Sequence, residues 1–281
     1  MEREPQDSAL SRRSLLASMV SLPVAGLFRP ERFSQIPTSP YAPFRMGIHS
    51  YSLRGFDLNR AIETTRRLGL RYWEAFSAHV PFSDDPTVRS AIRTDLRIAG
   101  IHLAVCGVQA FDGDAAKSRR IFESAKLLGL ETLSADPTPE ALPALNDLTQ
   151  EFGINIAIHN HGPGARYDKA ADIERAVSRH NVRMGVCIDT GHALRSAEDP
   201  VRWVEIFGER VHDIHLKDVK DRTKWTILGQ GDLRLGDFFR ALAAQKYAGI
   251  VALEYEEKPD DPTADIEACL QAVRMTLSRV R

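Results

Sequence analysis

Short runs of apolar and β-branched residues alternate along the chain with longer amphipathic segments. The segments between the runs, of roughly ten to fifteen residues, have the apolar spacing of helices. This alternation predicts parallel strands joined by crossover helices. The eight runs that predict strands are 45–49, 71–76, 102–108, 131–135, 155–160, 183–189, 211–217 and 251–255.

Helix boundaries have their own signals in the sequence. Asp57 precedes an amphipathic segment that stops at Gly69, which combines an N-cap residue with a C-terminal glycine. The same logic predicts four more helices. They are a segment from Asp112 to Gly129, one from Thr138 to Gly153, one at 238–246 after Gly236 and Asp237, and a last helix at about 263–280.

Eight strand and helix units within residues 45–281 predict one α/β domain, a single (β/α)8 TIM barrel. Such barrels have a typical length of about 250 residues. An open doubly wound sheet is the alternative. Two observations disfavour it: no GxGxxG follows the first strand, and polar residues recur at the C-terminal ends of strands around the whole set.

The first 44 residues differ from the rest. Arg12 and Arg13 precede a short uncharged stretch, which favours a signal peptide over a spanning helix of about 20 apolar residues. We therefore expect residues 1–30 to be a twin-arginine signal peptide and the protein to be periplasmic. Leu15 replaces the commoner Phe, so a disordered or amphipathic arm on a cytoplasmic protein is the alternative. Residues 31–44 are expected to form a Pro-rich linker.

The charge balance excludes one large class of partners. The chain has 37 Lys and Arg against 38 Asp and Glu; five basic and four acidic residues fall in the first 44, so the remainder carries about −2. Nucleic-acid binders usually have a basic excess, and we expect no nucleic-acid partner. Three cysteines, Cys106, Cys187 and Cys269, have no CxxC spacing, so buried packing is expected rather than a zinc knuckle or a disulfide framework.

Polar residues cluster at the ends of the last four predicted strands, where a barrel carries its active site. Five of the nine histidines lie on three consecutive strand ends. Alternation along a strand places His159 and His161 on one face, and likewise His215 and Lys217. Asp189 ends the sixth strand and Glu254 ends the eighth.

These strand ends predict a divalent-metal site. Asp189, His215 and Glu254 recur one per strand at equivalent depth, and a mixed imidazole and carboxylate set suits Mn²⁺, Co²⁺, Zn²⁺ or Fe²⁺ better than Ca²⁺. Mg²⁺ is a further candidate. Each residue alone also fits a role in the core, because a single strand histidine is more often a hydrogen-bonded core residue.

Four segments together resemble the sugar phosphate isomerase/epimerase superfamily, whose members have a xylose-isomerase-like TIM barrel. The resemblance extends over residues 45–281 and implies that Asp189, His215 and Glu254 are metal ligands and that His192 contacts substrate or a ligand. The segments are 47–51 (GIHSY), 187–192 (CIDTGH), 211–218 (VHDIHLKD) and 251–255 (VALEY).

One position departs from the family pattern. Many members have a Glu at the end of the fifth strand that binds the metal and serves as one of two acid/base groups, and here His159 takes that place. We expect His159 to be the fourth ligand, with His161 as the alternative. Glu254, His159 and His192 are the candidate catalytic residues. The acid/base partner of Glu254 is left open among His159, His161, His192, Glu74 and Lys217.

The remaining site predictions concern the substrate, a small sugar or polyol. Its hydroxyls are expected to contact His161, Lys217, Glu74 and His49. The alternative role for Glu74 is that of a structural partner of a barrel arginine. The loop 229–232 is either a phosphate site or a tight turn. The candidate aromatic walls are Tyr51, Trp73, Phe76, Phe111, Trp225 and Tyr255.

A divalent ion chelated by a carbonyl and its neighbouring hydroxyl promotes loss of a C–H proton and formation of an enediolate. Glu254 is the expected base. We expect a metal-dependent sugar isomerase or epimerase acting on a keto- or aldo-sugar. The alternatives are a dehydratase or lyase on a keto-sugar or keto-inositol, and a non-catalytic sugar-binding protein, for which the missing Glu is the argument. No stable membrane span is expected, and either a monomer or an oligomer is compatible with the sequence.

Overall fold

A closed barrel of eight parallel strands organises the computed structural model, which describes residues 39–82 and 85–280. Each barrel strand pairs with the next one along the chain, and the last closes against the first. The predicted (β/α)8 barrel is confirmed. The barrel strands are β1 (Arg45–His49), β2 (Tyr72–Ala75), β3 (His102–Phe111), β4 (Thr132–Pro137), β5 (Asn155–His159), β6 (Met184–Asp189), β7 (Val211–Leu216) and β10 (Ile250–Leu253).

Helices connect the strands and cover the outside of the barrel. Asp57 caps the first helix as predicted, because its side chain accepts a hydrogen bond from Arg60 N at 2.8 Å. The third helix is capped by Asp114 rather than Asp112. The helices are α1 (Leu58–Arg67), α2 (Pro86–Ile98), α3 (Ala115–Leu128), α4 (Leu142–Phe152), α5 (Ala170–Val177), α6 (Thr190–Arg195), α7 (Pro200–Phe207), α8 (Leu235–Ala244) and α9 (Thr263–Val280).

The inside of the barrel changes character along its axis. Near the N-terminal ends of the strands it is filled by a small apolar group that includes Val105, Ile250 and Ala252. Closer to the C-terminal ends the buried residues are polar, and Glu74 and Asp213 are 0% exposed. Branched apolar side chains dominate most barrel interiors. In this barrel a polar layer takes their place near the C-terminal ends, and it lies directly beneath the face that carries the candidate site.

An antiparallel hairpin, β8 (Asp218–Lys220) and β9 (Lys224–Thr226), follows β7 and was not predicted. The carboxylate of Asp218 accepts hydrogen bonds from the backbone N–H groups of Gly229 (2.9 Å), Gly231 (3.1 Å) and Leu233 (3.0 Å). The backbone donors of the loop 229–232 are thus used by a side chain of the protein. The loop is a turn around a carboxylate, which favours the second of its two predicted roles.

Residues ahead of β1 also belong to the packed core. Tyr41 and Phe44, inside the segment expected to be a linker, are 3% and 6% exposed, and Arg274 donates a hydrogen bond to the Tyr41 hydroxyl at 2.8 Å. The predicted signal peptide at 1–30 and most of the predicted linker lie outside the described residues. No helix among the described residues is both long enough and apolar enough to cross a membrane.

Gly185 provides a test of the barrel packing. A Cβ at Gly185 would lie 2.0 Å from the backbone oxygen of Arg210, so Gly185→Ala requires two backbone segments to separate. We expect a loss of about 1–3 kcal/mol or more in the free energy of unfolding, measured by urea denaturation. Gly236→Ala in α8 is the matched control, since the atom nearest to a Cβ added at Gly236 lies 3.6 Å away. A control as unstable as Gly185→Ala would contradict this packing argument.

Candidate metal centre and active site

Four predicted ligands converge at the C-terminal mouth of the barrel. His159 ends β5, Asp189 ends β6, His215 lies in β7, and Glu254 directly follows β10. Strand register brings them to one height, because Asp189 pairs with His215 and Glu254 N donates to Leu216 O at 3.1 Å. One donor atom from each of the four side chains lies within 4.8 Å of the others.

The spacing of these atoms suits a shared cation. His159 Nε2 lies 3.0 Å from His215 Nδ1 and 3.3 Å from Asp189 Oδ2, and His215 Nδ1 lies 2.9 Å from Glu254 Oε2. Atoms that bind one ion at about 2.0–2.2 Å are separated from each other by about 3 to 3.5 Å. Two imidazoles and two carboxylates form a donor set typical of Mn²⁺, Fe²⁺, Co²⁺ or Zn²⁺.

Buried atoms without hydrogen bonds provide an independent test of this fit. Asp189 Oδ2 and Glu254 Oε2 are buried and make no hydrogen bond of acceptable geometry within the described residues. Burying a carboxylate oxygen in this way is costly unless a cation compensates it. Asp189 Oδ1, by contrast, accepts a hydrogen bond from His192 N at 2.8 Å, which leaves Oδ2 free to face the cluster. The residues present fit a divalent ion.

The ammonium group of Lys217 completes the cluster. Lys217 Nζ lies 3.0 Å from Asp189 Oδ2 and 3.0 Å from Glu254 Oε2, and it also contacts the carboxylate of Glu256. Burial alone would lower the pKa of Lys217, but these three carboxylates raise it well above its usual value. Lys217 is therefore a buried, protonated group beside the base candidate Glu254.

Electrostatics keep the acidic ligands ionised and one imidazole neutral. Burial would raise the pKa values of Asp189 and Glu254, but the charge of Lys217 and the nearby histidines lowers both. Burial lowers the pKa of His159 to about 3, so its ring is neutral near pH 7. A neutral imidazole has a lone pair available for a metal.

Two residues expected to contact substrate are buried beside His215. His49 is 3% exposed, its Nδ1 lies 3.2 Å from Glu254 Oε1, and its ring stacks on that of His215 with centroids 4.7 Å apart. Glu74 is 0% exposed and lies beneath His215, with Oε2 at 2.8 Å from His215 Nε2. Both oxygens of Glu74 are used within the protein, because Ser134 Oγ donates to Oε1 at 2.6 Å.

Half-buried imidazoles and aromatic rings form the rim of the site. The ring of His161 lies 4.6 Å from that of His159 and 5.8 Å from that of His192. Trp225 meets His192 edge to face at 5.3 Å. On the other side, Tyr51 meets His49 at 6.1 Å and packs against Phe76.

The prediction that Trp73 walls the site is wrong. Trp73 is 0% exposed and donates through Nε1 to Thr65 Oγ1 at 3.1 Å, on the helix-covered side of the barrel. Strand alternation explains this, because Glu74 next to it points inward. Phe111 and Tyr255 are also buried, at 2% and 6% exposure, and the Tyr255 hydroxyl donates to Asp265 at 2.6 Å.

Side chains that follow the strands hold neighbouring strand ends together. Asn160 accepts from Asp189 N at 2.8 Å and donates to Asp189 O at 3.0 Å, which ties the end of β5 to that of β6. Thr190 Oγ1 accepts from Lys217 N at 2.9 Å and donates to Lys217 O at 2.6 Å, which ties β6 to the end of β7. The ligand positions are thus fixed by hydrogen bonds as well as by the sheet.

Three polar residues of the site were not predicted from the sequence. Glu256 lies two residues after Glu254, and strand alternation was the available signal. Arg195 follows His192 by one helical turn, which also indicates contact. Ser134 gave no signal, since a serine in the middle of a buried strand has no distinctive pattern.

Arg195 determines which nitrogen of His192 carries the proton. Arg195 NH1 lies 3.1 Å from His192 Nδ1, and a guanidinium has donors only, so Nδ1 must accept. Burial, together with the charge of Lys217, lowers the pKa of His192 despite the opposing effect of Asp189. The neutral ring therefore has its proton on Nε2.

Comparison with known proteins agrees with this geometry. Residues 139–274 match the family model described as "Xylose isomerase-like TIM barrel". That range is 136 of the 281 residues, and over it the chain is similar to the xylose isomerase-like TIM barrels. Most of the candidate site lies inside that matched range; Glu74 and His49 precede it.

Proteins similar to this chain have two kinds of name. The inosose dehydratase of Geobacillus thermodenitrificans (strain NG80-2) is 25% identical over 227 residues, 74% of this chain and 72% of the relative. That of Clostridium botulinum (strain Alaska E43 / Type E3) is 22% identical over 222 residues, 72% and 74% of the two chains. A solved D-psicose 3-epimerase shares the fold, with a TM-score of 0.65, 17% identity and coverage of 85% of this chain and 98% of that one.

The tautomer of His192 is directly measurable in this protein. We expect the ¹⁵N spectrum of histidine-labelled protein to show His192 with its proton on Nε2. Arg195→Met removes a charged hydrogen bond of about 1.5–3 kcal/mol and should shift the tautomer equilibrium by tenfold or more toward Nδ1–H. Arg195→Lys keeps a donor and is the control. An unchanged spectrum in Arg195→Met would contradict the assignment.

Proposed function

We propose that this protein is a divalent-metal-dependent dehydratase acting on a cyclic keto-polyol such as an inosose. The observation that carries the proposal is the pairing of the carboxylate Glu254 with the ammonium of Lys217, whose Nζ lies 3.0 Å from Glu254 Oε2. One group is a base and the other an acid. The names of the inosose dehydratase relatives support the same reaction class.

The ion would be held by His159, Asp189, His215 and Glu254, the four side chains whose donor atoms converge. When bound, it would supply Lewis-acid stabilisation of negative charge on the oxygen of a substrate ketone. Asp189 and Glu254 also provide the negative charge that attracts such an ion. The neutral ring of His159 needs no deprotonation before it binds.

The proton transfers require only residues of this chain. Glu254 accepts the proton of the C–H next to the ketone, and the electron pair of that bond forms the new C=C bond. The β-hydroxyl leaves with the electrons of its C–O bond and takes a proton from Lys217, giving water. Glu254 then returns its proton to Lys217, and their 3.0 Å separation makes this direct. The net change is the loss of one water molecule.

The rim residues would orient the substrate. The Nε2–H of His192 is a donor for a hydroxyl oxygen. Trp225 offers an aromatic wall beside it, since the Lys217 Nζ lies 5.2 Å from the centroid of its ring. His161, half-buried between His159 and His192, is placed to contact a second hydroxyl. A pocket of this kind suits an uncharged polyol better than a phosphorylated sugar, because the loop 229–232 is closed around Asp218.

A sugar isomerase or epimerase is the second candidate. It is favoured by His161 and His192, two imidazoles near the cluster that offer alternative proton donors to the same carbanion. Both reactions share removal of the first proton by Glu254. They differ in whether the next proton goes to carbon or to a leaving hydroxyl.

Product analysis in D2O separates the two reactions. Purified protein, stripped of metal and reloaded with Mn²⁺ or Co²⁺, is incubated with an inosose, ketoses and 3-keto-glycosides and followed by ¹H NMR. We expect the inosose to lose water and chelator to abolish turnover. Deuterium incorporation into recovered sugar without loss of water would establish the epimerase or isomerase instead. Absence of turnover and of metal binding would favour a non-catalytic sugar-binding protein.

Two variants test the acid and base roles. Glu254→Gln removes the base and one metal ligand and should lower kcat by at least about 10³-fold, and Lys217→Met should lower it by about 10²–10⁴-fold. Lys220→Met is the matched control, because Lys220 is an exposed lysine of the neighbouring hairpin. Lys217→Met with wild-type kcat would contradict a proton-donor role for Lys217.

We also propose export by the twin-arginine route, from Arg12 and Arg13 before the apolar stretch. Arg12→Lys with Arg13→Lys should abolish appearance of the full-length chain's mature form in the periplasm. Fractionation followed by immunoblotting measures this. Retention of wild-type protein in the cytoplasm would contradict the proposal.

A further inference from the structure

A fully buried acidic group lies beneath the candidate metal centre. Glu74 and Asp213 are both 0% exposed and project into the barrel below His215. Glu74 Oε2 lies 2.8 Å from His215 Nε2, whereas Asp213 Oδ2 lies 3.6 Å from the same nitrogen. Only Glu74 is within hydrogen-bond distance.

The carboxylate of Glu74 is itself held in place. Ser134 Oγ donates to Glu74 Oε1 at 2.6 Å, so Oε2 is directed at the imidazole. Among the residues that the structure describes, no lysine or arginine pairs with Glu74; its Oε2 contacts the imidazole of His215. A carboxylate buried without a guanidinium or ammonium is costly, and an apolar residue would fill the same space at lower cost. The cost of burying the Glu74 carboxylate indicates that its contact with His215 has a function.

The chemistry of imidazole shows what this contact does to His215. An ionised carboxylate only accepts hydrogen bonds, so His215 Nε2 must carry a hydrogen. The other nitrogen, Nδ1, faces His159, Asp189 and Glu254. With its hydrogen fixed on Nε2, a neutral His215 presents its single lone pair to the cluster.

We propose that Glu74 is a positioning residue that orients His215 and fixes the hydrogen on its Nε2, so that Nδ1 binds the divalent ion. This inference rests on the metal site of the proposed function. Glu74 itself touches neither ion nor substrate. Carboxylates that accept from a ligand histidine typically change metal affinity by about 10–100-fold.

A different assignment predicts a different stoichiometry. His49, Glu74 and His215 also have donor atoms within 4.8 Å of one another, so Glu74 would be a ligand if a second ion bound there. The positioning role requires one ion per chain. A count of two ions, with one lost in Glu74→Gln, would overturn it.

The test combines metal affinity with an NMR signal of His215. Zn²⁺ is titrated into the metal-stripped full chain in competition with a chelator, and the imino proton of His215 Nε2 is recorded with and without Zn²⁺. Glu74→Gln should weaken Zn²⁺ binding by about 10–100-fold. It should also move the imino proton upfield and speed its exchange, because an amide oxygen accepts more weakly than a carboxylate.

Asp213→Asn is the matched control. It changes an equally buried carboxyl of the same layer that is 3.6 Å from Nε2 and interacts with Glu74, so we expect a clearly smaller loss of Zn²⁺ affinity than in Glu74→Gln. An equal loss in Asp213→Asn and Glu74→Gln would show that the layer acts through packing and would overturn the proposal. Wild-type affinity and an unshifted imino proton in Glu74→Gln would overturn it as well.

Ser134→Ala covers the case in which Glu74→Gln does not fold. It keeps the carboxylate but removes the hydrogen bond that directs it, and should weaken Zn²⁺ binding and shift the imino proton in the same directions. No change in either measurement would count against the positioning role. Failure of the wild-type protein to bind Zn²⁺ would instead refute the metal-dependent function, while the imino proton would still report the contact of Glu74 with His215.

Discussion

Buried negative charge is the constraint on which this site depends. The closed barrel places Asp189, Glu254 and Glu74 where water has little access, and each ionised carboxylate there must be compensated by a cation. The ammonium of Lys217 supplies part of this compensation at Asp189 and Glu254, and His215 donates a hydrogen bond to Glu74 through Nε2. A divalent ion would supply more, and the attraction that raises the pKa of Lys217 is the same one that would favour the ion.

The barrel reaches this arrangement through register. Parallel pairing sets Asp189 level with His215, and the chain beyond β10 brings Glu254 to the same height. Asn160 and Thr190 then fix the strand ends against each other. Because these contacts are made by backbone and short side chains, the four ligand positions depend little on the mobile ends of long side chains.

The sequence predicted the fold well because periodicity is a local property. All eight barrel strands were found, since runs of β-branched residues and helix caps do not depend on distant partners. The donor set was also accessible, because residues at strand ends in a barrel converge on one face. His159, Asp189, His215 and Glu254 do lie together in the structure.

The sequence predictions did not show how deep along the barrel axis a residue lies or to which side the side chain of Trp73 points. Glu74 was expected either at the rim or beside a barrel arginine, and it lies beneath His215. The sequence shows which face a strand residue takes but not how far down the barrel axis it lies. Trp73 was placed in the site although its neighbour Glu74 excluded that by alternation. The hairpin after β7 was missed because two three-residue strands are too short for a periodic signal.

The distinction between a dehydratase and an epimerase comes down to the partner of one carboxylate. In either reaction Glu254 would remove the first proton, and the ligand cluster would be unchanged. A protonated lysine beside the base gives a leaving hydroxyl a proton, whereas a second base across the substrate would return a proton to carbon.

The hydrogen bonds that Asp218 accepts from the loop 229–233 have a thermodynamic consequence. The carboxylate of Asp218, the residue after Lys217, accepts hydrogen bonds from the loop 229–233. These bonds hold the loop against the start of the hairpin that carries Trp225. The hairpin beside the candidate metal centre is thus held in place by hydrogen bonds within the protein. A ligand that binds against Trp225 therefore loses little conformational entropy on that side, because the loop is already ordered.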